Sequence, residues 1–439
     1  MQQLIVNNVL PESANIKRSS QGFDFPTELL QAIFALLPRS NLAQVALVSR
    51  QWNTVASPLL YQHVYIRTLH HWKKFVSCCN TSDNRGFGYF PWLATSVTSL
   101  VLRPSPKLIP RSMGLQQRRG LPTDPDVEGQ GYVRMQPVDL DNTGLEQLLA
   151  TDSDPNSDGT DVWSENMMDM NATMKEAEWL AKVTDMDMAM VITQCPQLVY
   201  LQVSGCTQIG DATMYALASA PSITSAIGVI GRGRAGGMQG LWLDLTRHIS
   251  SVAWMTFIHA EQKRRSISLE SSFAITGSDG GTACQQHLHH LDLSYCGFVT
   301  DACLINSLPL WTESLTHLRL CSLYNVTDET VLAIAEHCPH LRLLHLSRCF
   351  KITNHSLIRL ASSPLTSNLV YLSLAFLNQV NEQGIKHLVY ACQQLRTLDI
   401  SGAGINPMFK QVIIRQWDQW REQKQWGKID YHEEPVLLL

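Results

Sequence analysis

Six stretches of this chain can be laid on one another in a single register, and that self-similarity restricts the fold more than any other property of the sequence. They read LVYLQVSGCTQIGD from Leu198, LHHLDLSYCGFVTD from Leu288, LTHLRLCSLYNVTD from Leu315, LRLLHLSRCFKITN from Leu341, LVYLSLAFLNQVNE from Leu369 and LRTLDISGAGIN from Leu395. From Leu288 onward the first leucines step by 27, 26, 28 and 26 residues. A period in this range means a row of small units, each unable to bury its apolar face alone and each stacked on the next.

Within a copy the first, fourth and sixth places are apolar, which is the alternation of a short strand with one buried face. A helical segment follows, such as VTDETVLAIAEHCP or ITNHSLIRLASSP, opening on a Thr, Asp or Asn able to cap free N–H groups. Cys206, Cys296 and Cys349 fall in the turn after the strand, and Cys195, Cys338 and Cys392 fall three residues before the next first leucine. Six of the 11 cysteines are thereby core spacers, which suits a reducing compartment. The pattern resembles the cysteine-containing subclass of leucine-rich repeats. Weaker copies are expected at Val97-x-x-Leu100-x-Leu102, Ile227-x-Val229 and Met255-x-Phe257. Residues 103–187 interrupt the array with Pro and Gly clusters, basic residues up to Arg119 and an acidic second half, so they are expected to be a partly disordered insertion.

The charge is nearly balanced, 34 basic against 38 acidic residues, which disfavours a general polyanion binder and hence nucleic acid. The N-terminus has no leader pattern and no stretch approaches the apolar length of a membrane span, so a soluble protein of the cytoplasm, the nucleus or both is expected, with no membrane partner.

Ahead of the repeats, residues 23–66 contain three short apolar-periodic segments, Thr27 to Leu37, Asn41 to Val48 and Ser49 to Ala56. Pro26 precedes the first, and Ser40 or Asn41 can cap the second. Apolar residues go nearly round the first helix, so part of its surface needs an outside cover. Pro26, Glu28, Ile33, Phe34, Leu37, Pro38, Leu42, Val48, Ser49, Arg50 and Trp52 match the pattern of an F-box, with Phe25 where that family has Leu. The segment resembles an F-box, and its order before cysteine-type repeats resembles the F-box leucine-rich-repeat family. A plain N-terminal cap on the repeat stack is the competing interpretation.

The resemblance implies a substrate receptor of an SCF-type cullin-RING ubiquitin ligase, with no bond chemistry of its own. In that family the F-box docks the adaptor subunit, and through it the cullin and RING subunits, while the repeats hold the protein to be ubiquitinated. Matching positions assign Pro26, Leu29, Leu30, Ile33, Leu37, Leu42, Val45 and Val48 to the adaptor face. The residues between buried leucines in each strand form the candidate substrate face: Tyr200 and Gln202, His290 and Asp292, His317 and Arg319, Leu343 and His345, Tyr371 and Ser373, Thr397 and Asp399. The other class of function is a repeat scaffold that binds protein without ubiquitinating it.

No cofactor, metal or catalytic residue is expected. Cys284, His287, His289 and His290 cluster, yet a single group without a second ligand pair is a weak zinc signature. GVIGRGRAGG matches no phosphate-binding loop.

The expected fold is therefore mixed α/β. Residues 1–22 are a flexible terminus, 23–66 an F-box of three helices, and 67–102 a linker with a possible first repeat. After the 103–187 insertion, residues 188–406 form a leucine-rich-repeat horseshoe, and 407–439 a capping helix and tail. Phe409, Ile413, Trp417 and Trp420 mark one face of that last helix, which caps the stack or docks a partner.

Overall fold

The computed structural model describes residues 25–80, 91–102, 178–219, 237–275, 288–392, 394–406, 408–415 and 436–438. The chain divides into two units at Leu60 and Tyr61.

The first unit is three helices: α1 (Thr27–Phe34), α2 (Arg39–Val45) and α3 (Arg50–Leu60). Pro26 and Pro38 occupy the N-cap positions of α1 and α2, so α2 begins before Ser40 and Asn41 and neither caps it. Proline suits both sites because its fixed φ matches the entry and its missing N–H costs nothing there. Ser49 caps α3, its Oγ accepting from Trp52 N at 3.1 Å, which gives the Val-Ser-Arg-x-Trp spacing a structural reason. Leu30, Phe34, Leu42, Ala46 and Ala56 make a small buried core, and the Phe34 and Trp52 rings meet edge to face at 5.3 Å. Asn53 ties α3 to α2 by donating to Ala46 O at 2.9 Å.

The second unit is one open parallel sheet of ten strands in sequence order. The strands are β1 (His63–Ile66), β2 (Ser99–Leu102), β3 (Tyr200–Gln202), β4 (Gly240–Trp242), β5 (His290–Asp292), β6 (His317–Arg319), β7 (Leu343–His345), β8 (Tyr371–Ser373), β9 (Thr397–Asp399) and β10 (Val436–Leu438). The helices between them include α6 (Asp185–Gln194), α7 (Asp211–Ser219), α8 (Ser251–Ile275), α9 (Asp301–Ser307), α10 (Asp328–His337), α11 (Asn354–Ala361) and α12 (Glu382–Ala391); α4 (Leu69–Cys79) and α5 (Pro91–Ser96) lie before β2. Leucines at the first, fourth and sixth repeat places, such as Leu315, Leu318 and Leu320, are fully buried against these helices in a continuous core. Strands pair about 4.8 Å apart while helices pack at 8–10 Å, so such a stack curves with its strands on the inside.

Two polar devices register one repeat on the next. The first residue of most repeat helices is an Asp, Asn or Glu whose side-chain oxygen reaches the following repeat. Asp301 accepts from Thr327 N at 2.9 Å, Thr327 Oγ1 at 2.8 Å and Thr330 Oγ1 at 2.6 Å. Asp328 does the same for Thr353 at 2.7 and 2.6 Å, and Asp185 and Asp211 serve Ala212, Thr213 and Ser250. Asn354 Oδ1 and Glu382 Oε1 continue the series to Asn381 N and Asn406 N. The second device is the turn thiol. Cys296 donates to Leu243 O at 3.0 Å and Cys349 to Leu320 O at 2.9 Å, so each satisfies a carbonyl at the end of the preceding strand. These cysteines are hydrogen-bond donors as well as spacers.

The turn also fixes a backbone habit. Gly205, Leu245, Tyr295, Ser322, Arg348, Phe376 and Gly402, equivalent from repeat to repeat, all have φ between 56° and 78°. Five of the seven are not glycine, and each holds a left-handed conformation that costs an L-residue about 1–2 kcal/mol.

Several sequence expectations are corrected. His63–Ile66 is a strand in register with Ser99–Leu102, so the three helices end at Leu60 and the last residues of the 23–66 segment pair into the sheet. Val97, Leu100 and Leu102 are buried as expected of a repeat, but theirs is the second strand. Met255 and Phe257 lie within the 25-residue helix α8, and the strand of that repeat is Gly240–Trp242. Its MQGLWLDLT has the same apolar places as the other copies, displaced from their period by the segments on either side. At the end of the expected insertion, Trp179, Leu180 and Val183 are buried in the common core and α6 begins at Asp185. Residues 408–415 are helical, with Ile413 buried, and 436–438 add a tenth strand where the sequence offered no signal. Residues 1–22, 103–177, Ile227, Val229, Trp417 and Trp420 lie outside the described residues.

Candidate binding surfaces

On the helical unit, α1 and the α2–α3 connection carry a dense set of exposed apolar side chains. Leu29 is 47% exposed, Ile33 45%, Leu36 86%, Leu47 73% and Val48 62%, with Phe25 also exposed. Of the residues assigned to an adaptor face, Pro26, Leu29, Ile33 and Val48 are exposed, and Leu37 and Val45 are half-buried. Leu30 and Leu42 are buried in the unit's own core and present nothing to a partner. The periodicity of α1 alone could not separate them, because three short helices decide jointly which side of each is inward. Leu36 and Leu47, outside the assigned set, are exposed as well.

On the solenoid, the strand residues between buried leucines form two rows along the inner face. Tyr200, His290, His317, Leu343, Tyr371 and Thr397 make the first row, all half-buried and brought together by register. In the second row, Arg319 and Asp399 are half-buried, whereas Gln202, Asp292, His345 and Ser373 are buried. These four were expected to be open contact positions. Instead Gln202 donates to Ser204 Oγ at 3.4 Å, Asp292 Oδ1 accepts from Ser294 N at 3.0 Å, and His345 and Ser373 are held in a polar chain along the sheet: His345 Nε2 meets Ser347 Oγ at 2.9 Å, Ser347 meets Ser373 Oγ at 2.6 Å, and Ser373 donates to Asp399 Oδ2 at 2.9 Å. Strand β4 adds Gly240 and Trp242 to the two rows.

Burial governs the charges of this face. It holds His290 down to about 4, and His317 and His345 down to about 3, so all three are neutral at pH 7. Burial also raises the Asp292 carboxyl, against the pull of nearby Arg319, and raises Asp244 to about 7 with Asp292 adding to the shift.

The rings stack across strands. Trp242 lies on His290 with centroids 5.5 Å apart and planes within 23°, and His290 on His317 at 4.3 Å. Gly240 makes room for this: a Cβ there would sit 2.5 Å from the Trp242 ring and 2.7 Å from that of Tyr200.

The repeat thiols are poor nucleophiles. Burial pushes Cys338, Cys349 and Cys392 up to about 12, and raises Cys206 and Cys296 too. No group of three potential metal ligands occurs among the described residues; Cys284 and His287 lie outside them. No described helix is long and apolar enough to cross a membrane.

Comparison with known proteins agrees with both halves. Residues 23–67 match the F-box-like family, and residues 284–303 match a leucine-rich-repeat family. No curated protein matches the chain. Among solved structures, a crystal structure of the Rad7 and Elc1 complex in yeast is similar at 16% identity, covering 52% of this chain and 75% of that chain with a TM-score of 0.22. The chain joins an F-box-like domain to a leucine-rich-repeat solenoid.

Proposed function

We propose that this chain is the substrate-recognition subunit of an SCF-type ubiquitin ligase. The carrying observation is the apolar surface of the F-box-like unit, where six large side chains are 45% or more exposed on a unit whose own core contains five buried residues. A patch of this kind on so small a domain calls for a protein cover, and Leu29, Ile33, Leu36, Leu47 and Val48 would fill an apolar groove in an adaptor subunit. Cullin and RING subunits would join through that adaptor.

The inner face of the solenoid is the matching client surface, with half-buried Tyr, His, Leu and Arg side chains on adjacent strands. The chain itself performs no bond chemistry in this account. It raises the effective concentration of the client's lysines near a charged conjugating enzyme. Its place of action would be the cytoplasm, the nucleus or both.

Affinity capture of the full chain and of a Leu29→Asp, Leu36→Asp variant, compared by mass spectrometry, tests the reading. Ligase subunits should be lost with the variant while clients are retained, and those clients should accumulate when the protein is removed. Clients whose abundance and ubiquitination stay unchanged would favour a non-degradative scaffold instead.

A further inference from the structure

A second surface of the solenoid lies along the edge formed by the turns that follow β5 to β8. The backbone ladder runs on into these turns: Tyr295 N donates to Cys321 O, Arg348 N to Ala375 O and Phe376 N to Ser401 O, each at 2.9 Å. Successive turns therefore stand one strand spacing apart, about 4.8 Å, and their side chains form a row. Tyr324 is 66% exposed and Phe376 40%, Lys351 is exposed, and Tyr295, Arg348 and Phe350 are half-buried. The Tyr324 and Phe350 rings lie 5.9 Å apart, and the Arg348 guanidinium sits 4.7 Å from the centre of the Phe376 ring. Phe376 in turn covers Gly402, where a Cβ would collide with its ring.

The backbone makes three of these side chains costly. Tyr295, Arg348 and Phe376 hold φ of 62°, 61° and 57° at a place where Gly205 and Gly402 adopt the same conformation without a Cβ. Bulky residues kept in a left-handed conformation at the surface point to a use other than stability. The charge of the edge is one-sided as well. Residues 294–299, 321–326, 347–352 and 375–380 include Arg348 and Lys351 and no acid. Asp301, Asp328 and Glu382, which open helices after these turns, direct their carboxylates to Thr327, Thr353 and Asn406 of the next repeat.

We propose that this edge docks a partner protein through a short segment in which Asp or Glu residues alternate with aromatic or aliphatic anchors. The anchors pack on the Tyr324, Phe350 and Phe376 rings, and the carboxylates meet the Arg348 and Lys351 cations. Nucleic acid also pairs rings with cations, but two cations over four turns neutralise few phosphates, so an acidic peptide fits better. The edge is distinct from the inner face, and this docking does not depend on that face holding clients.

The test uses the full chain and short labelled probes followed by fluorescence anisotropy. One peptide alternates Glu with Leu and Phe, a second has Lys for Glu, a third has Ser for Leu and Phe, and the fourth probe is oligouridine. The Glu peptide should bind at least about tenfold tighter than each of the others. Tyr324→Ser should weaken it at least about fivefold at an unchanged thermal midpoint. Arg348→Gly should weaken it likewise while holding or raising the midpoint, because glycine relieves the left-handed backbone. A Glu peptide that does not bind, binds no better than the other peptides or oligouridine, or is indifferent to either variant overturns the proposal. A midpoint lowered by Arg348→Gly with binding retained would assign that arginine to the fold and overturn it too.

Discussion

The helical unit and the solenoid treat their apolar residues in opposite ways. In the solenoid, leucines at equivalent places from Leu198 to Leu398 are buried to within 1% and the repeats are joined by carboxylate and thiol hydrogen bonds. In the helical unit, Leu36 and Leu47 stand almost free while a neighbouring Leu30 is inside. The same residue type thus stabilises the fold in one region and stands exposed in the other. Substitution should tell the two apart by whether stability or binding is lost.

The largest expected effect is in the solenoid core. Leu344→Ala should cost about 2–5 kcal/mol, read as a fall in the denaturant midpoint, because the packed layers around it cannot collapse into the space. Next is the inter-repeat ladder: Asp301→Ala removes three hydrogen bonds to Thr327 and Thr330 and should cost on the order of 2 kcal/mol in the same measurement.

Acid should act through the inner face. His345 is neutral in the fold and held to about 3 by burial, so its contribution is whole above the unfolded value of about 6.5. As pH falls below that, the unfolded chain takes up the proton and stability drops by on the order of 1 kcal/mol per pH unit, until pH nears 3. Asp244, raised to about 7, opposes this between about pH 7 and 4, since its folded form binds the proton more readily. Thermal midpoints at pH 7 and 5 should differ less in His345→Gln than in the parent chain.

Smaller still is Ser322→Gly, which relieves a left-handed φ of 56° and should stabilise by up to about 1 kcal/mol. Smallest in stability is Leu36→Ser in the helical unit, expected within about 0.5 kcal/mol of the parent by thermal melting. A large loss there would mean that this leucine belongs to a core after all.

What could be read from the sequence follows the same division. The repeats from Leu288 to Leu395 were legible because each strand meets the same neighbours, so local pattern and tertiary environment coincide. Strand β4 escaped because the segments around it break the period that reveals the others. The polar residue that opens each helix, such as Asp301 or Asp328, reaches into the next repeat over a distance that only stacking sets. Within the helical unit, the spacing identified the elements, yet Leu30 and Leu29 are adjacent in sequence and opposite in fate. That choice is made by Trp52 and Ala56, more than twenty residues away.

The central claim is that the exposed apolar face of residues 25–60 docks a ligase adaptor. Its most direct test is titration of purified adaptor into the full chain and into the Leu29→Asp, Leu36→Asp variant by calorimetry, with thermal midpoints in parallel. The account predicts one-to-one binding for the parent chain, none for the variant, and the same midpoint for both. Undiminished binding by a folded variant, or no binding by the parent chain, would contradict it.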